Sequence, residues 1–177
     1  MPVEVLYDYL RKRHELDADA FAALFPAPAL LFERIGITQL GPERTHTDIE
    51  AVSPAATAQF LARLTLRMRE EAHLFRLVRL PKDGTVNIGR SAANTLVLSQ
   101  TAVSKHHARL VIDGGRVMVT DLGSRNGVFI DNKRITPRAS VQLHTGQTLR
   151  IASIPLRVLS GAEFYRELDA LTSPMKS

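Results

Sequence analysis

From His73 to Ser160 the chain is written in short apolar runs separated by turn residues at intervals of roughly ten, the pattern of a β-sandwich. The runs are Leu74 to Leu80, Val86 to Ile88, Leu96 to Leu98, His107 to Ile112, Val117 to Thr120, Gly127 to Ile130, Val141 to Leu143, Thr148 to Ala152 and Pro155 to Leu159. Lys82-Asp83-Gly84, Asp113-Gly114-Gly115 and Asp131-Asn132-Lys133 supply the tight turns between them. Ala108, Leu110 and Ile112 alternate, as a half-buried strand requires. No strand–helix–strand unit interrupts the series, so the sheets are expected to be largely antiparallel.

The flanks read differently. Residues 1–72 are expected to be a helical N-terminal region, with an amphipathic helix over 3–14 and a second, capped by Asp17 or Asp19, running to Phe25. Pro26 and Pro28 stop it. A linker rich in Gly, Pro, Thr and acids occupies about 36–54. Ser53 and Pro54 then open a helix whose apolar face is Phe60, Leu61, Leu64 and Met68. Residues 161–177 predict a short helix with Phe164, Leu168 and Leu171 on one side, then a polar tail. The expected organisation is therefore 1–72, 73–160 and 161–177.

Four pieces inside the β region carry chemistry. They are Gly89-Arg90, Val103-Ser104-Lys105-His106-His107-Ala108, Asp121-Leu122-Gly123-Ser124-Arg125-Asn126-Gly127 and Asp131-Asn132-Lys133-Arg134-Ile135. Each falls at a strand end or in a loop, where sandwiches commonly build binding sites. The residue types suit an anion. Arg90 offers a planar fork of donors, Ser104 a hydroxyl and Lys105 a point charge. Asn126 both donates and accepts, which suits the backbone of an extended peptide.

In this order the pieces resemble the forkhead-associated (FHA) family, over about half the chain, Leu74 to Leu159. The resemblance implies a mainly β fold, an FHA-type sandwich of about eleven strands, with the helical N-terminal segment and short C-terminal helix attached. It also implies phosphothreonine binding through loops at one end. Residue by residue it gives Arg90, Ser104 and Lys105 to the phosphate, and Arg125 and Asn126 to the peptide. His107, not His106, supports the site from beneath, with Gly89 and Gly127 as structural neighbours. One turn departs from the family habit, with Asn132-Lys133 where Asn-Gly is frequent.

Charge agrees with an anionic partner. Residues 73–160 hold 13 Lys/Arg against 4 Asp/Glu, whereas residues 1–72 hold 8 against 11. The implied partner is a phosphothreonine-containing protein, with an upstream Ser/Thr kinase. Nucleic acid is not expected, since there is no Trp and no helix-turn-helix or zinc-knuckle spacing. Cysteine is absent, which removes thiolate metal sites and disulfides and fits a cytoplasmic, soluble protein without a membrane span. No cofactor and no metal are expected, because the adjacent His106 and His107 would face opposite ways on a strand. Catalysis is not expected either, since Ser104 and His107 lack an acid partner and a nucleophile elbow. Two readings stay open beside the main one. The fold could serve as a phosphate-independent scaffold working through its flanking helices. Alternatively, Thr45 or Thr47 in the acidic linker could be phosphorylated and fill the chain's own site.

Overall fold

The computed structural model describes residues 3–25, 27–33 and 75–172. The linker at 36–54 with Thr45 and Thr47, the helix expected to carry Phe60, Leu61, Leu64 and Met68, and the tail from 173 lie outside the described residues. So does the side chain of Leu171.

Twelve strands and three helices follow one another in the described chain. The N-terminal elements are β1 (Val3–Val5), α1 (Leu6–Glu15), α2 (Ala18–Ala22) and β2 (Ala29–Glu33). Then come β3 (Phe75–Arg79), β4 (Gly84–Gly89), β5 (Leu96–Val97), β6 (Ala108–Asp113), β7 (Arg116–Asp121) and β8 (Val128–Ile130). The chain continues through β9 (Lys133–Arg134), β10 (Ser140–Leu143), β11 (Thr148–Ile151) and β12 (Ile154–Leu159) to α3 (Gly161–Thr172). The strands form a seven-stranded sheet, β1-β3-β2-β12-β11-β8-β9, and a five-stranded sheet, β10-β7-β6-β4-β5. Among the described residues only β4 and β5 pair in parallel.

Alternation builds the layer between the sheets. Ala108, Leu110 and Ile112 are buried while Arg109, Val111 and Asp113 are exposed. Opposite them in register, Val119 and Val117 are buried as well. With Val86, Ile88, Leu149, Ile151, Leu156 and Val158 they form the main core. Each such side chain contributes roughly 1.5–3 kcal/mol on leaving water. Turn residues hold the register. Gly114 and Gly115 both sit at positive φ in the β6–β7 hairpin, as do Asp131 and Asn132 in the β8–β9 hairpin.

Residues 1–72 were read above as helix and loop, yet they contribute two strands. Val3-Glu4-Val5 pairs with β3 instead of opening the first helix. Ala29 to Glu33 enters the seven-stranded sheet between β3 and β12. Sequence alternation fails there for a physical reason. Leu30 faces the core between the sheets and Leu31 faces a second core, so the strand is apolar on both sides. The pairing crosses the expected division at residue 73.

That second core joins the outer face of the seven-stranded sheet to the helices. Tyr9, Phe21, Phe25, Leu31, Leu77, Leu159, Phe164 and Leu168 pack together. Tyr9 meets the Phe164 ring edge-on at 5.4 Å between centroids. Asp17 caps α2 by accepting the Ala20 N–H at 2.8 Å. Ser160 and Glu163 form a reciprocal capping box at the start of α3. Arg13 pairs with Asp169, and Arg157 with Glu167, tying α3 to α1 and to β12.

A chain starting at residue 73 lacks β2 and leaves β3 and β12 unpaired along facing edges. It also uncovers Phe164 and Leu168. We expect it to lose the cooperative urea transition of the full chain. An unchanged midpoint and slope in the shortened chain would mean that β2 adds nothing to the sandwich.

Candidate functional site

The loops after β4, β5 and β7 meet at one end of the sandwich, and hydrogen bonds between them make one surface. Arg90 N–H donates to Ser104 O at 2.9 Å, and Ser91 N–H to Lys105 O at 3.1 Å. The Ser104 hydroxyl accepts the Arg125 N–H at 3.2 Å. Asn126 Nδ2 donates to Ala102 O at 2.7 Å. All five residues expected to meet the ligand, Arg90, Ser104, Lys105, Arg125 and Asn126, therefore stand on this joined rim. Ser104 is partly exposed and the other four are exposed.

Their polar ends are largely unspent. Arg90 Nε donates to Val103 O at 3.3 Å, which leaves both terminal amino groups without a partner among the described residues. The Ser104 hydroxyl accepts one bond and keeps its own proton to donate. Asn126 has used one N–H, so its carbonyl and second N–H remain. No carboxylate among the described residues pairs with Arg90, Lys105 or Arg125.

Beneath the rim lies His107, fully buried, while His106 is exposed. His107 Nδ1 lies 3.0 Å from Ser104 N, and Nε2 lies 3.0 Å from Gly127 O. A backbone N–H can only donate, so Nδ1 accepts and the ring proton sits on Nε2, donated to the Gly127 carbonyl. One neutral imidazole thus joins two loops. Burial pushes its pKa below the usual value, against the opposing pull of the Gly127 carbonyl and of Asp121. Gly89 is needed for space, since a Cβ there would lie 2.4 Å from the Lys105 carbonyl oxygen. Gly127 is needed for conformation, with φ +77°.

Three supporting residues had no role in the sequence reading. Asn94 is buried and donates to Ser91 O at 2.8 Å and to Lys105 O at 2.6 Å, while its Oδ1 lies 3.2 Å from His106 Nδ1. Its only signal is an amide in a loop just before a strand, which any turn residue shares. Asp121 accepts the N–H groups of Gly123 and Ser124 at 3.1 and 2.7 Å, and the Ser124 hydroxyl accepts that of Gly127 at 3.0 Å. The Asp-x-Gly-Ser spacing is an Asx-turn signal that could have located them.

The imidazole generates a pH prediction. A histidine whose folded pKa is depressed favours the neutral form, so its stabilisation is full above about pH 6.5 and is lost as pH falls. His107→Gln removes that titration. The stability gap between wild type and His107→Gln in urea unfolding is expected to narrow from about pH 7.5 to about pH 5. A gap constant over that range would contradict the buried neutral imidazole.

Comparison with known proteins places the sandwich. Residues 86–152 match the family model described as FHA domain. The FHA domain-containing protein FhaB of Mycobacterium tuberculosis is 39% identical over 72 residues, which are 41% of this chain and 46% of FhaB. The transcriptional regulatory protein EmbR of the same organism is 42% identical over 64 residues, 36% of this chain and 16% of EmbR. The chain spans less than half the length of either curated relative. The crystal structure of the FHA domain of CT664 protein from Chlamydia trachomatis superposes with a TM-score of 0.50 at 18% identity, over 75% of this chain and 97% of that one, a likeness of fold. With its two packed sheets and its loops in the family's order, the chain carries a forkhead-associated domain, a binding module and not a catalytic fold.

Proposed function

We propose that this chain recognises phosphothreonine in a partner protein, or on its own Thr45 or Thr47, and acts as a signalling module rather than an enzyme. One observation carries the reading. Arg90, Ser104, Lys105, Arg125 and Asn126 share a rim braced by loop-to-loop hydrogen bonds, and apart from the Asn126 carbonyl their free groups are donors or cations. A phosphate dianion needs several such donors converging, and charge-assisted bonds to it are about twice as strong as neutral ones. Bracing before the ligand arrives lowers the ordering cost of binding. Arg90 supplies the fork, Ser104 a hydroxyl donor and Lys105 a charge. The free carbonyl and N–H of Asn126 hold the peptide backbone beside the phosphothreonine. A Ser/Thr kinase that writes the mark follows from that ligand. A cytoplasmic setting fits the cysteine-free sequence, and no helix among the described residues is long and apolar enough to cross a membrane.

Paired phosphorylated and unphosphorylated threonine peptides, titrated at several salt concentrations beside an oligonucleotide, test the reading. We expect binding of the phosphorylated peptide alone. Arg90→Ala is expected to weaken it about thirtyfold, or ~2 kcal/mol, and Ser104→Ala similarly or somewhat less. Equal affinity for both peptides would favour a phosphate-independent scaffold. Wild-type affinity in Arg90→Ala would remove Arg90 from the site.

A further inference from the structure

Among the described residues, the helix layer packs on one part of the outer face of the seven-stranded sheet. Around β2 and β3, the helices lie over Ala29, Leu31, Leu77 and Leu159. Near the β9 edge stands Phe129. Val128 and Ile130 on either side of it belong to the core between the sheets, so Phe129 faces outward. It is nevertheless only 7% exposed, and an arginine stands beside it in register on each neighbouring strand. Arg150, its register neighbour on β11, places its guanidinium 3.5 Å from the ring centroid. Arg134, its register neighbour on β9, lies against Gly127, where an added Cβ would meet Nε at 2.7 Å. Arg150 Nη1 donates to Ala152 O at 2.7 Å, and Ala152 N–H donates to Gly127 O at 3.1 Å. Both cations therefore border the loop that ends in Asn126 and Gly127.

Neither is neutralised among the described residues. The acids of the sandwich are engaged elsewhere. Asp83 accepts the Gly114 N–H, Asp113 faces Arg116, Asp121 holds Gly123 and Ser124, and Asp131 holds Thr148 and Gln147. In α3, Glu163 bonds Ser160, Glu167 pairs with Arg157 and Asp169 with Arg13. Burial without a counter-charge draws the Arg150 guanidinium below its usual pKa. A cover for Phe129 alone would be served by Leu or Met at position 150 without the cost of desolvating a cation.

We propose that Arg134 and Arg150 form a second anion site, taking a carboxylate-rich stretch or a second phosphate on the same phosphothreonine ligand. This rests on the phosphothreonine reading above. The distance suits one ligand. His107 spans Ser104 N and Gly127 O through two 3.0 Å bonds. With the ring between them the patch begins within about 8 Å of Ser104. An extended peptide, rising ~3.3 Å per residue, reaches it within about five residues.

The test uses the full chain and phosphothreonine peptides with a neutral flank, a glutamate-rich flank or a flanking phosphoserine. Wild type is expected to prefer one or both anionic flanks by at least about fivefold over the neutral one, and comparing them separates carboxylate from phosphate. Arg134→Met keeps an aliphatic side chain in register beside Phe129. It is expected to cut that preference below about twofold while leaving the neutral-flank affinity unchanged. Lys82→Met, in the turn before β4, is expected to keep the preference. NMR supplies an arm independent of phosphothreonine. The Nε–H resonances of Arg134 and Arg150 should shift with an unphosphorylated glutamate-rich peptide, while the amides of Ser104 and Lys105 stay in place. An unchanged preference in Arg134→Met, an equal loss in Lys82→Met, or Nε–H resonances that no anionic peptide moves would each overturn the second site. If wild type ignores the phosphate on threonine, the phosphothreonine reading falls and the Nε–H shifts alone decide the second site.

Discussion

One buried imidazole makes the loops of this sandwich behave as a single surface. His107 accepts from Ser104 N–H in its own loop and donates to Gly127 O in the next, so one ring satisfies a backbone group in each of two loops. Backbone groups left unpaired away from water are costly, which is why such a bridge is hard to replace. The remaining loop contacts depend on it. Asn126 reaches Ala102 O, and Arg125 N–H reaches Ser104 Oγ, only while residues 104 and 127 keep their distance. Asn94 performs the same service between Ser91 and Lys105. Backbone needs are met within the protein, and the ends of Arg90, Lys105 and Arg125 stay without a carboxylate partner among the described residues.

The two sheets divide the work. The five-stranded sheet ends in the β4–β5 loop and receives the chain back at β6, which fixes Arg90 against Ser104. The seven-stranded sheet receives β8, which fixes Gly127. A site spanning both sheets is only as steady as their packing, and β2 contributes to that packing from the middle of the larger sheet. The helices continue the effect outward, since Phe164 and Leu168 seal the far side of the same strands. The N-terminal segment is thus part of the scaffold on which the rim stands, with β1 and β2 inside the larger sheet and its helices on the outer face.

Most of the sandwich was legible because its strands are half-buried and alternate. β6, with Ala108, Leu110 and Ile112 inward, is the clearest instance. Legibility failed where that condition failed. β2 is apolar on both faces, β1 is a three-residue Val-Glu-Val run continuous with a helix, and β9 is a pair of cations following a turn. At the rim, the residues that the sequence singled out, Arg90, Ser104, Lys105, Arg125 and Asn126 over His107, are those with distinctive chemistry. Asn94 escaped because its value lies in a tertiary contact with Lys105, eleven residues away in sequence. Arg134 was visible in the fourth motif, but its register beside Phe129 and its reach to Gly127 exist only in the folded sheet.

The placement of acids explains how a domain so rich in cations keeps them available. Residues 73–160 contain only 4 Asp/Glu, and three of these bind backbone N–H groups in turns. The fourth, Asp113, faces Arg116 at 3.9 Å, with both side chains largely exposed, where such a pair contributes little. Turn geometry thus holds these carboxylates on backbone N–H groups and out of ion pairs with the rim cations. The surplus field draws anions of every kind, within a screening length of about 8 Å at physiological salt. Attraction of that sort cannot choose among phosphopeptide, acidic peptide and free phosphate. On the proposed reading discrimination falls to geometry, to the spacing of Arg90, Ser104 and Asn126 that His107 braces, so the least polar-looking part of the rim, a buried neutral ring, would set its specificity.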